Sequence, residues 1–165
     1  MKDSCNSRKV VYFAGAIRGD RVVADMISEM ISFIKMFNYR VLTEHVGMPD
    51  PIDTLAKQLK VNKEALSAEM IERQDIGWLD QATHVIAEIS GASTGTGREI
   101  EYARVKGLLG KVPATVLCLY RKDREFYASP MICGMTKERY ENVDVFAYNT
   151  VSEAKDKILS FLHHN

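Results

Sequence analysis

The chain alternates between short apolar runs and longer segments in which apolar residues recur at helical spacing. The runs predict five strands, over 9–15, 39–42, 84–89, 114–120 and 143–148. The segments between them predict helices over 20–37, 63–81, 97–109 and 151–162, with a short one near 53–59. Strands rich in β-branched and aromatic residues that alternate with helices form one parallel sheet. We therefore predict an α/β fold, Rossmann-like and three-layered, with a five-stranded parallel sheet and helices on both faces.

One carboxylate interrupts the apolar stripe of the helix predicted over 63–81, for which Asn62 is the predicted cap. Ile71 and Trp78 lie on one face at i and i+7, and Asp75 fills the i+4 position between them. An unpaired buried charge is costly, so such a group is usually paired, protonated or functional. Two interpretations stay open: an ion pair with Arg73 or Arg98 at the edge of the stripe, or a functional carboxyl group.

Small residues dominate the segment that follows the third predicted strand, which reads SGASTGTGREIEY over 90–102. Its glycines permit tight turns and close approach of a ligand. A strand, a small-residue loop and a helix start together present backbone N–H groups to a phosphate. The loop carries Glu99 into the first predicted helical turn. There the carboxylate either compensates the helix dipole or lies beside a phosphate and attacks the sugar that carries it.

Three other polar residues lie just beyond or near the ends of predicted strands. Arg18 follows the first strand, His45 follows the second, and Glu88 lies near the end of the third. In an open parallel sheet ligands bind outside the carboxyl ends of the strands. Arg18 is thus an anion-binding candidate or an exposed turn residue, and His45 a site residue or a surface residue. We interpret Glu88 as a polar strand terminus, with a supporting role in a site as the alternative.

Composition excludes some classes of protein. The 165 residues fit one domain, and 22 basic residues balance 22 acidic ones, which argues against nucleic-acid binding through a large basic surface. No apolar run approaches the ~20 residues of a membrane helix, and the first nine residues lack the apolar segment of a signal peptide. The scattered Cys5, Cys118 and Cys133 suggest a reducing compartment. We expect no membrane partner and a cytoplasmic location, with the nucleus left open.

Asp75 and Glu99 form a candidate pair for glycoside cleavage. Cleavage with retention uses one carboxylate as nucleophile and a second carboxyl group, roughly 5 Å away, as proton donor. The donor must start protonated, which suits an aspartate on an apolar stripe. Known phosphate fingerprints fail here, because Gly97 is followed by Arg98 instead of the lysine of the Walker pattern. The four histidines show no metal-ligand spacing, so we predict no metal site.

The order and spacing of six stretches resemble the 2′-deoxynucleoside 5′-phosphate N-hydrolases of the nucleoside 2-deoxyribosyltransferase superfamily. The stretches are Tyr12-Phe13-x-Gly15-x-Ile17-Arg18-Gly19, Leu42-Thr43-Glu44-His45-Val46, Gln74-Asp75-x-x-Trp78-Leu79, Ala87-Glu88, Ser93-x-Gly95-x-Gly97-x-Glu99 and Ser129-x-Met131-Ile132. The resemblance implies a flavodoxin-like sheet and a homodimer with sites at the subunit interface. It also implies hydrolysis of deoxynucleoside monophosphates to free base and 2-deoxyribose 5-phosphate through a covalent glycosyl-glutamate intermediate, without a metal or organic cofactor.

The resemblance also implies residue roles. Glu99 matches the nucleophile, Asp75 the proton-transfer carboxylate that contacts the sugar, and Tyr12 the tyrosine that orients the nucleophile. The loop that lines the family's site matches Gly15, Ile17, Arg18 and Gly19. The phosphate contacts match Ser93, Gly95 and Ser129, of which the last would come from the partner subunit. His45 matches a residue near the base.

Two regions depart from the family pattern, and alternatives in function stay open. The residue before the nucleophile is often aromatic in the family, whereas Arg98 here could add phosphate affinity or change base preference; residues 47–62 are also unlike those of relatives. The alternatives are a nucleoside 2-deoxyribosyltransferase, a ribonucleotide N-glycosidase of the CMP type, and a non-catalytic nucleotide sensor. Phosphate-contacting serines favour hydrolysis of monophosphates, because transferases typically act on unphosphorylated nucleosides.

Overall fold

A computed structural model describes residues 9–164 of the chain, so Cys5 lies outside the described residues. Five parallel strands form one sheet in the order β2-β1-β3-β4-β5. The strands are β1 (Val10–Ala14), β2 (Arg40–Val41), β3 (His84–Glu88), β4 (Thr115–Arg121) and β5 (Val143–Tyr148). The helices are α1 (Ala24–Met36), α2 (Pro51–Gln58), α3 (Ala68–Gln81), α4 (Thr94–Val105), α5 (Pro130–Cys133) and α6 (Val151–His164). The predicted five-stranded parallel sheet is confirmed.

The sheet separates two apolar layers. Val11 and Phe13 of β1 face a layer built with α1 and α6, whereas Tyr12 and Ala14 face a layer built with α3 and α4. This split follows from the two-residue period of a strand. Each fully buried large apolar side chain stabilises the fold by about 1.5–3 kcal/mol. The predicted three-layer arrangement, with helices on both faces, is thus confirmed, and Tyr12 points towards α3 and α4.

The chain changes direction within the sheet at β1. From β1 it moves outward to the edge strand β2 and then crosses back to β3 on the other side of β1. Tyr12 pairs in register with Val85 of β3, and Ala14 with Ala87. Such a reversal opens a crevice beyond the carboxyl ends of the two central strands. No helix within residues 9–164 has both the length and the apolar character needed to cross a membrane.

Helices α1 and α3 begin later in the chain than predicted. Helix α3 begins at Ala68, where the Ser67 hydroxyl accepts from the N–H of Met70, and Asn62 makes no capping bond with its side chain. Residues 63–65 form a separate 3₁₀ turn. Helix α1 begins at Ala24 instead of Asp20, because the Asp20 carboxylate accepts from the N–H of Val22 and holds a turn there.

Helix α4 begins three residues earlier than predicted, which changes the interpretation of Glu99. The Ser93 hydroxyl caps this helix by accepting from the N–H of Thr96, so the helix starts at Thr94. Glu99 therefore lies in the second turn instead of the first. Because the dipole effect falls off within the first turn, compensation of the helix dipole does not account for this carboxylate.

Candidate active site

A cleft of about 280 Å³ opens at the crevice beside β1. Its walls come from the loop after β1, the turn after β2, helix α3 and the start of α4. Nine of the eleven residues predicted for the site line this cleft: Tyr12, Gly15, Ile17, Arg18, His45, Asp75, Ser93, Gly95 and Glu99. Gly19 and Ser129 do not. The structure therefore brings together residues that are up to 87 positions apart in the chain, as Tyr12 and Glu99 are.

Glu99 is held within the cleft by the phenol group of Tyr12. The Tyr12 hydroxyl donates to Oε1 of Glu99 at 2.7 Å, which leaves Oε2 without this partner. Burial raises the pKa of Glu99, while the Tyr12 hydrogen bond and the Arg98 charge act in the opposite direction. Burial and the two nearby carboxylates raise the pKa of Tyr12 well above 10, so the phenol stays a donor. Glu99 is thus oriented by one oxygen and open through the other.

Asp75 projects from α3 into the same cleft without a hydrogen-bond partner on Oδ1 among residues 9–164. Neither arginine proposed for it is paired with it: Arg73 bonds Glu69, and Arg98 bonds Glu72. The ion-pair interpretation of Asp75 is therefore wrong. Burial, followed by the charges of Glu99 and Glu72, raises the pKa of Asp75 to about 7. A carboxyl group of this kind can donate a proton near neutral pH.

His45 is a buried cleft residue, so its interpretation as a surface histidine is wrong. It lies in a 3₁₀ turn over Glu44–Gly47, and its ring lies 5.6 Å from the ring of Trp78, centroid to centroid. Burial lowers the pKa of His45 to about 4, so the imidazole is neutral near pH 7. Its Nδ1 has no hydrogen-bond partner within the described part of the chain. A neutral ring with a free nitrogen suits hydrogen bonding to a flat heterocycle.

Arg21 connects the two loops that carry Arg18 and His45, and sequence reasoning missed it. Its guanidinium donates to the carbonyl oxygen of Ala16 at 2.8 Å and to that of Met48 at 2.9 Å. Three-dimensional contacts alone reveal this function, because carbonyl acceptors leave no mark in the sequence. Glu72, which also lines the cleft, was missed as well; its position one turn before Asp75 was the available signal.

Glycine is required near the cleft by backbone geometry at two positions. Gly19 has φ +75°, the left-handed region, so it shapes the turn after β1 without lining the cleft. A Cβ on Gly91 would lie 2.5 Å from the carbonyl oxygen of Asp20. The loop after β3 can therefore pack against the loop after β1 only with glycine there.

Ser129 lies in a different cleft of the same chain. It is exposed at the start of α5, and it lines a cleft of about 500 Å³ that borders the first one, with Ser93 and Thr96 lining both. Phe126 and Met131 also line this second cleft and are 93% and 81% exposed. Within one chain, Ser129 therefore does not lie with the cleft carboxylates.

Among residues 9–164, no group of three or more His, Cys, Asp or Glu side chains is arranged to hold a metal ion. The polar groups of the cleft are instead three carboxyl groups, a phenol, an imidazole, two guanidinium groups and the hydroxyls at the start of α4. This set can position an anion, a heterocycle and a sugar between them. It can also supply a nucleophile and an acid.

Comparison with known proteins gives consistent results. The family model described as nucleoside 2-deoxyribosyltransferase matches residues 11–157. A Thermofilum pendens protein, provisionally named 2′-deoxynucleoside 5′-phosphate N-hydrolase 1, is 34% identical over 92% of this chain and 94% of its own. The 5-hydroxymethyl-dUMP N-hydrolase of Rattus norvegicus is 35% identical over 75% of this chain and 68% of its own. The CMP N-glycosidase structure from Clostridium botulinum superposes with a TM-score of 0.62 at 19% identity, covering 93% of this chain and 99% of that one.

Proposed function

Because this chain belongs to the nucleoside 2-deoxyribosyltransferase family, we propose that it is a hydrolase of nucleotides that cleaves the N-glycosidic bond of 2′-deoxynucleoside 5′-monophosphates. The products are free nucleobase and 2-deoxyribose 5-phosphate. One observation carries the proposal: the Tyr12-bound Glu99 and the unpartnered Asp75 line one cleft, beside the capped start of α4. Relatives named for this hydrolysis, at 34–35% identity, support the same substrate class.

Glu99 is the nucleophile in the first half of the reaction. Its Oε2 forms a bond to C1′ of the deoxyribose while the bond from C1′ to the base nitrogen breaks. Asp75 gives its proton to the leaving base, which departs neutral. The developing oxocarbenium charge is stabilised by the adjacent carboxylate before the covalent ester forms. Tyr12 fixes the direction of attack, because its hydrogen bond holds Oε1.

Water completes the second half. Asp75, now a carboxylate, takes a proton from a water molecule that attacks C1′. The ester bond to Glu99 breaks, 2-deoxyribose 5-phosphate leaves, and both carboxyl groups return to their starting states. The pKa of Asp75, about 7, suits a group that serves first as an acid and then as a base.

The ends of the nucleotide are assigned by chemistry. The phosphate lies at the start of α4, where Ser93, Gly95 and backbone N–H groups face an anion at a helix N-terminus. Arg18 adds positive charge from the loop after β1. The base lies towards His45 and the apolar Ile17, where the neutral imidazole offers a hydrogen-bonding nitrogen.

We propose a homodimer in which Ser129 of each subunit contacts the phosphate in the partner's site. The second cleft, which borders the first through Ser93 and Thr96, supports this arrangement. So do the exposed side chains of Phe126 and Met131 around Ser129, because large exposed apolar groups commonly mark contact surfaces. Sedimentation of the full chain should give twice the monomer mass of 18.6 kDa. A monomer at micromolar concentration would contradict it.

The cellular location is a further part of the proposal. The family's nucleotide substrates and the scattered cysteines support residence in the cytoplasm or nucleus. Fractionation of cells that produce the tagged full chain tests this, and recovery of the protein in the secreted fraction would contradict it.

The direct test is chromatography of the protein with each of the four deoxynucleoside monophosphates. The expected result is free base and 2-deoxyribose 5-phosphate from at least one of them. Nucleotide binding without base release over long incubation would instead identify a sensor. A new nucleoside formed when a second base is offered would identify a transferase. Faster cleavage of CMP or AMP than of the deoxy forms would identify a ribonucleotide hydrolase, since a site can exclude or require one 2′-hydroxyl.

A further inference from the structure

Glu72 and Arg98 join the two helices that carry the cleft carboxyl groups. Nη2 of Arg98 on α4 lies 2.5 Å from Oε1 of Glu72 on α3. Both residues line the cleft. The pair therefore lies between the helix of Asp75 and the helix of Glu99, at the edge of the space that holds the reacting groups.

The two ends of this ion pair come from the two helices that carry the cleft carboxyl groups. Glu72 precedes Asp75 by three residues on α3, and side chains at that spacing are neighbours on one helix face. Arg98 directly precedes Glu99 on α4. Glu72 is thus a helix-face neighbour of Asp75, and Arg98 projects from the same turn of α4 as Glu99. The effects on pKa have the matching signs: Glu72 raises the pKa of Asp75, and Arg98 lowers that of Glu99.

The proposed function requires this asymmetry. The reaction begins with a proton on Asp75 and a negative charge on Glu99, although both half-buried carboxyl groups line one cleft. Building on that proposed function, we propose that the Glu72–Arg98 ion pair polarises the cleft, so that Asp75 retains the proton and Glu99 retains the negative charge. Glu72 and Arg98 act through their neighbours and are positioning residues for the proton.

The pair is poorly suited to a purely stabilising role. Its side chains are 45% and 61% exposed, for Glu72 and Arg98 respectively. Exposed ion pairs contribute little to folding, because solvent screens them and their side chains lose entropy on pairing. The field of such a pair on the two half-buried carboxyl groups is more consequential, because these groups are less screened by solvent than the pair itself.

The other titratable groups that line the cleft do not supply this asymmetry. Tyr12 bonds Glu99, but it is uncharged, since its pKa is raised well above 10. His45 is neutral because its pKa is lowered to about 4. Arg18, from the loop after β1, is the remaining charged lining residue besides the pair and the two carboxyl groups. The acidic residues that line the cleft are Glu72, Asp75 and Glu99, so no further carboxylate of the lining could form an ion pair with Arg18.

A charge swap separates a polarising role from a structural one. The double variant Glu72→Arg/Arg98→Glu keeps an ion pair between α3 and α4 but reverses its direction. The singles Glu72→Gln and Arg98→Gln remove one charge each. The matched control is Glu69→Arg/Arg73→Glu, which swaps an i,i+4 pair of α3 whose side chains are 78% and 79% exposed.

The first measurement is a carboxyl-carbon NMR titration of the ligand-free protein, with the Asp75 signal identified through Asp75→Asn. We expect Glu72→Gln to lower the Asp75 pKa by about 0.3–1 unit and the swap to lower it further. The control swap should leave it unchanged. The shift should shrink in ~0.5 M salt, because screening shortens the reach of exposed charges. An Asp75 titration that the swap restores to the wild-type value, or that no variant moves, would overturn the proposal.

The second measurement is the pH dependence of base release. In the swap variant the alkaline limb should move to lower pH, and the rate at pH 7.5 should fall about 2–10-fold. A swap variant with the wild-type profile would again overturn the proposal. Because the NMR titration needs no turnover, the two proposals can fail separately. If the Asp75 pKa shifts as expected but neither the wild type nor any variant releases base, the proposed function is refuted and the proposal of a polarising ion pair is retained.

Discussion

Two tyrosine–glutamate pairs of the described residues lie on opposite faces of one sheet, and they are built differently. The Tyr148 hydroxyl donates to Glu88 at 2.9 Å, and the Tyr12 hydroxyl donates to Glu99 at 2.7 Å. Glu88 also accepts from the N–H and the hydroxyl of Ser90. Among the described residues, Tyr12 is the hydrogen-bond donor to Glu99. Of these two glutamates, only Glu99 lines the cleft, which also contains the unpartnered Oδ1 of Asp75.

The difference shows that burial and a tyrosine partner do not by themselves make a reactive carboxylate. A carboxylate accepts about four hydrogen bonds, and a buried one is stable when most are made. Glu88 approaches this condition and ties the end of β3 to the ends of β4 and β5, since the Ser90 hydroxyl accepts in turn from the N–H of Arg121 at 2.8 Å. Glu99 accepts fewer hydrogen bonds than a carboxylate can, and it lines an open cleft. A carboxylate oxygen that is not hydrogen-bonded and that faces a cleft can act as a nucleophile.

The sharpest way to break the comparison is to remove one charge from each pair. Glu99→Gln should lower base release by at least ~10³-fold, because the amide cannot act as nucleophile, with little change in melting temperature. Glu88→Gln should do the reverse. Its amide turns a donor towards donors already in place, which costs about 1–3 kcal/mol of stability, while turnover per folded molecule stays within a few-fold. Base release and thermal unfolding measure both. A folded but inactive Glu88→Gln protein would erase the distinction.

The second substitution concerns the proton. Asp75→Asn should lower base release by about 10²–10⁴-fold, the usual contribution of a general acid. In the wild-type protein the rate should fall as the pH rises through about 7, because Asp75 then loses the proton that it must donate. The residual activity of the variant should lack this alkaline limb. Rate against pH from 5 to 9, with a substrate whose base leaves without protonation as the control, measures both. A limb that persists in Asp75→Asn would assign it to another group.

The third substitution removes the two phenols. Tyr12→Phe should reduce base release about 10–100-fold, because a hydrogen bond to a charged group contributes ~1.5–3 kcal/mol and here it orients the attacking group. Tyr148→Phe, the matched change on the other face, should lower the free energy of unfolding and leave turnover near wild type. Equal losses of activity in both variants would show that the two pairs act as one unit.

The sheet and its layers could be predicted from the sequence because buried parallel strands are continuous apolar runs. Helix starts were less predictable, since Ser67 and Ser93 compete as caps with nearby residues of similar propensity. The sequence favours a polar strand terminus for Glu88, but the side chain is buried, 2% exposed. Its partner Tyr148 is 60 residues away, and no local pattern indicates that contact.

The cleft residues were predictable largely through family resemblance, whereas their partners were not. The spacing of Asp75 within an apolar stripe indicated a costly carboxylate correctly. The sequence offered Arg73 and Arg98 as its partners, and both instead bind glutamates. Pair choice among exposed charges is decided by differences of a few tenths of a kcal/mol, which sequence patterns do not resolve.

The smallest expected effect is on stability, and its sign separates the two regions once more. The pKa of Asp75 rises from 3.8 to about 7 on folding. Between these values the folded protein holds more protons than the unfolded chain, so stability falls as the pH rises from about 4 to 7 and stays low above that. Asp75→Asn removes the cost of ionising this buried group. The variant should therefore melt at higher temperature than the wild type at pH 8, and the gain should disappear towards pH 4.

A gain of ~2 °C would be measurable, since roughly 1 kcal/mol shifts the melting temperature of a chain this long by 2–4 °C. Glu88→Gln is the control: burial raises the pKa of Glu88 too, but its carboxylate accepts from Ser90 and Tyr148, so this variant should melt below the wild type at pH 8. An Asp75→Asn protein less stable than the wild type at pH 8 would mean that the Asp75 carboxylate is satisfied in the folded state. Asp75 would then resemble Glu88, whose carboxylate is hydrogen-bonded, and the proposal that Asp75 is a proton donor would be contradicted.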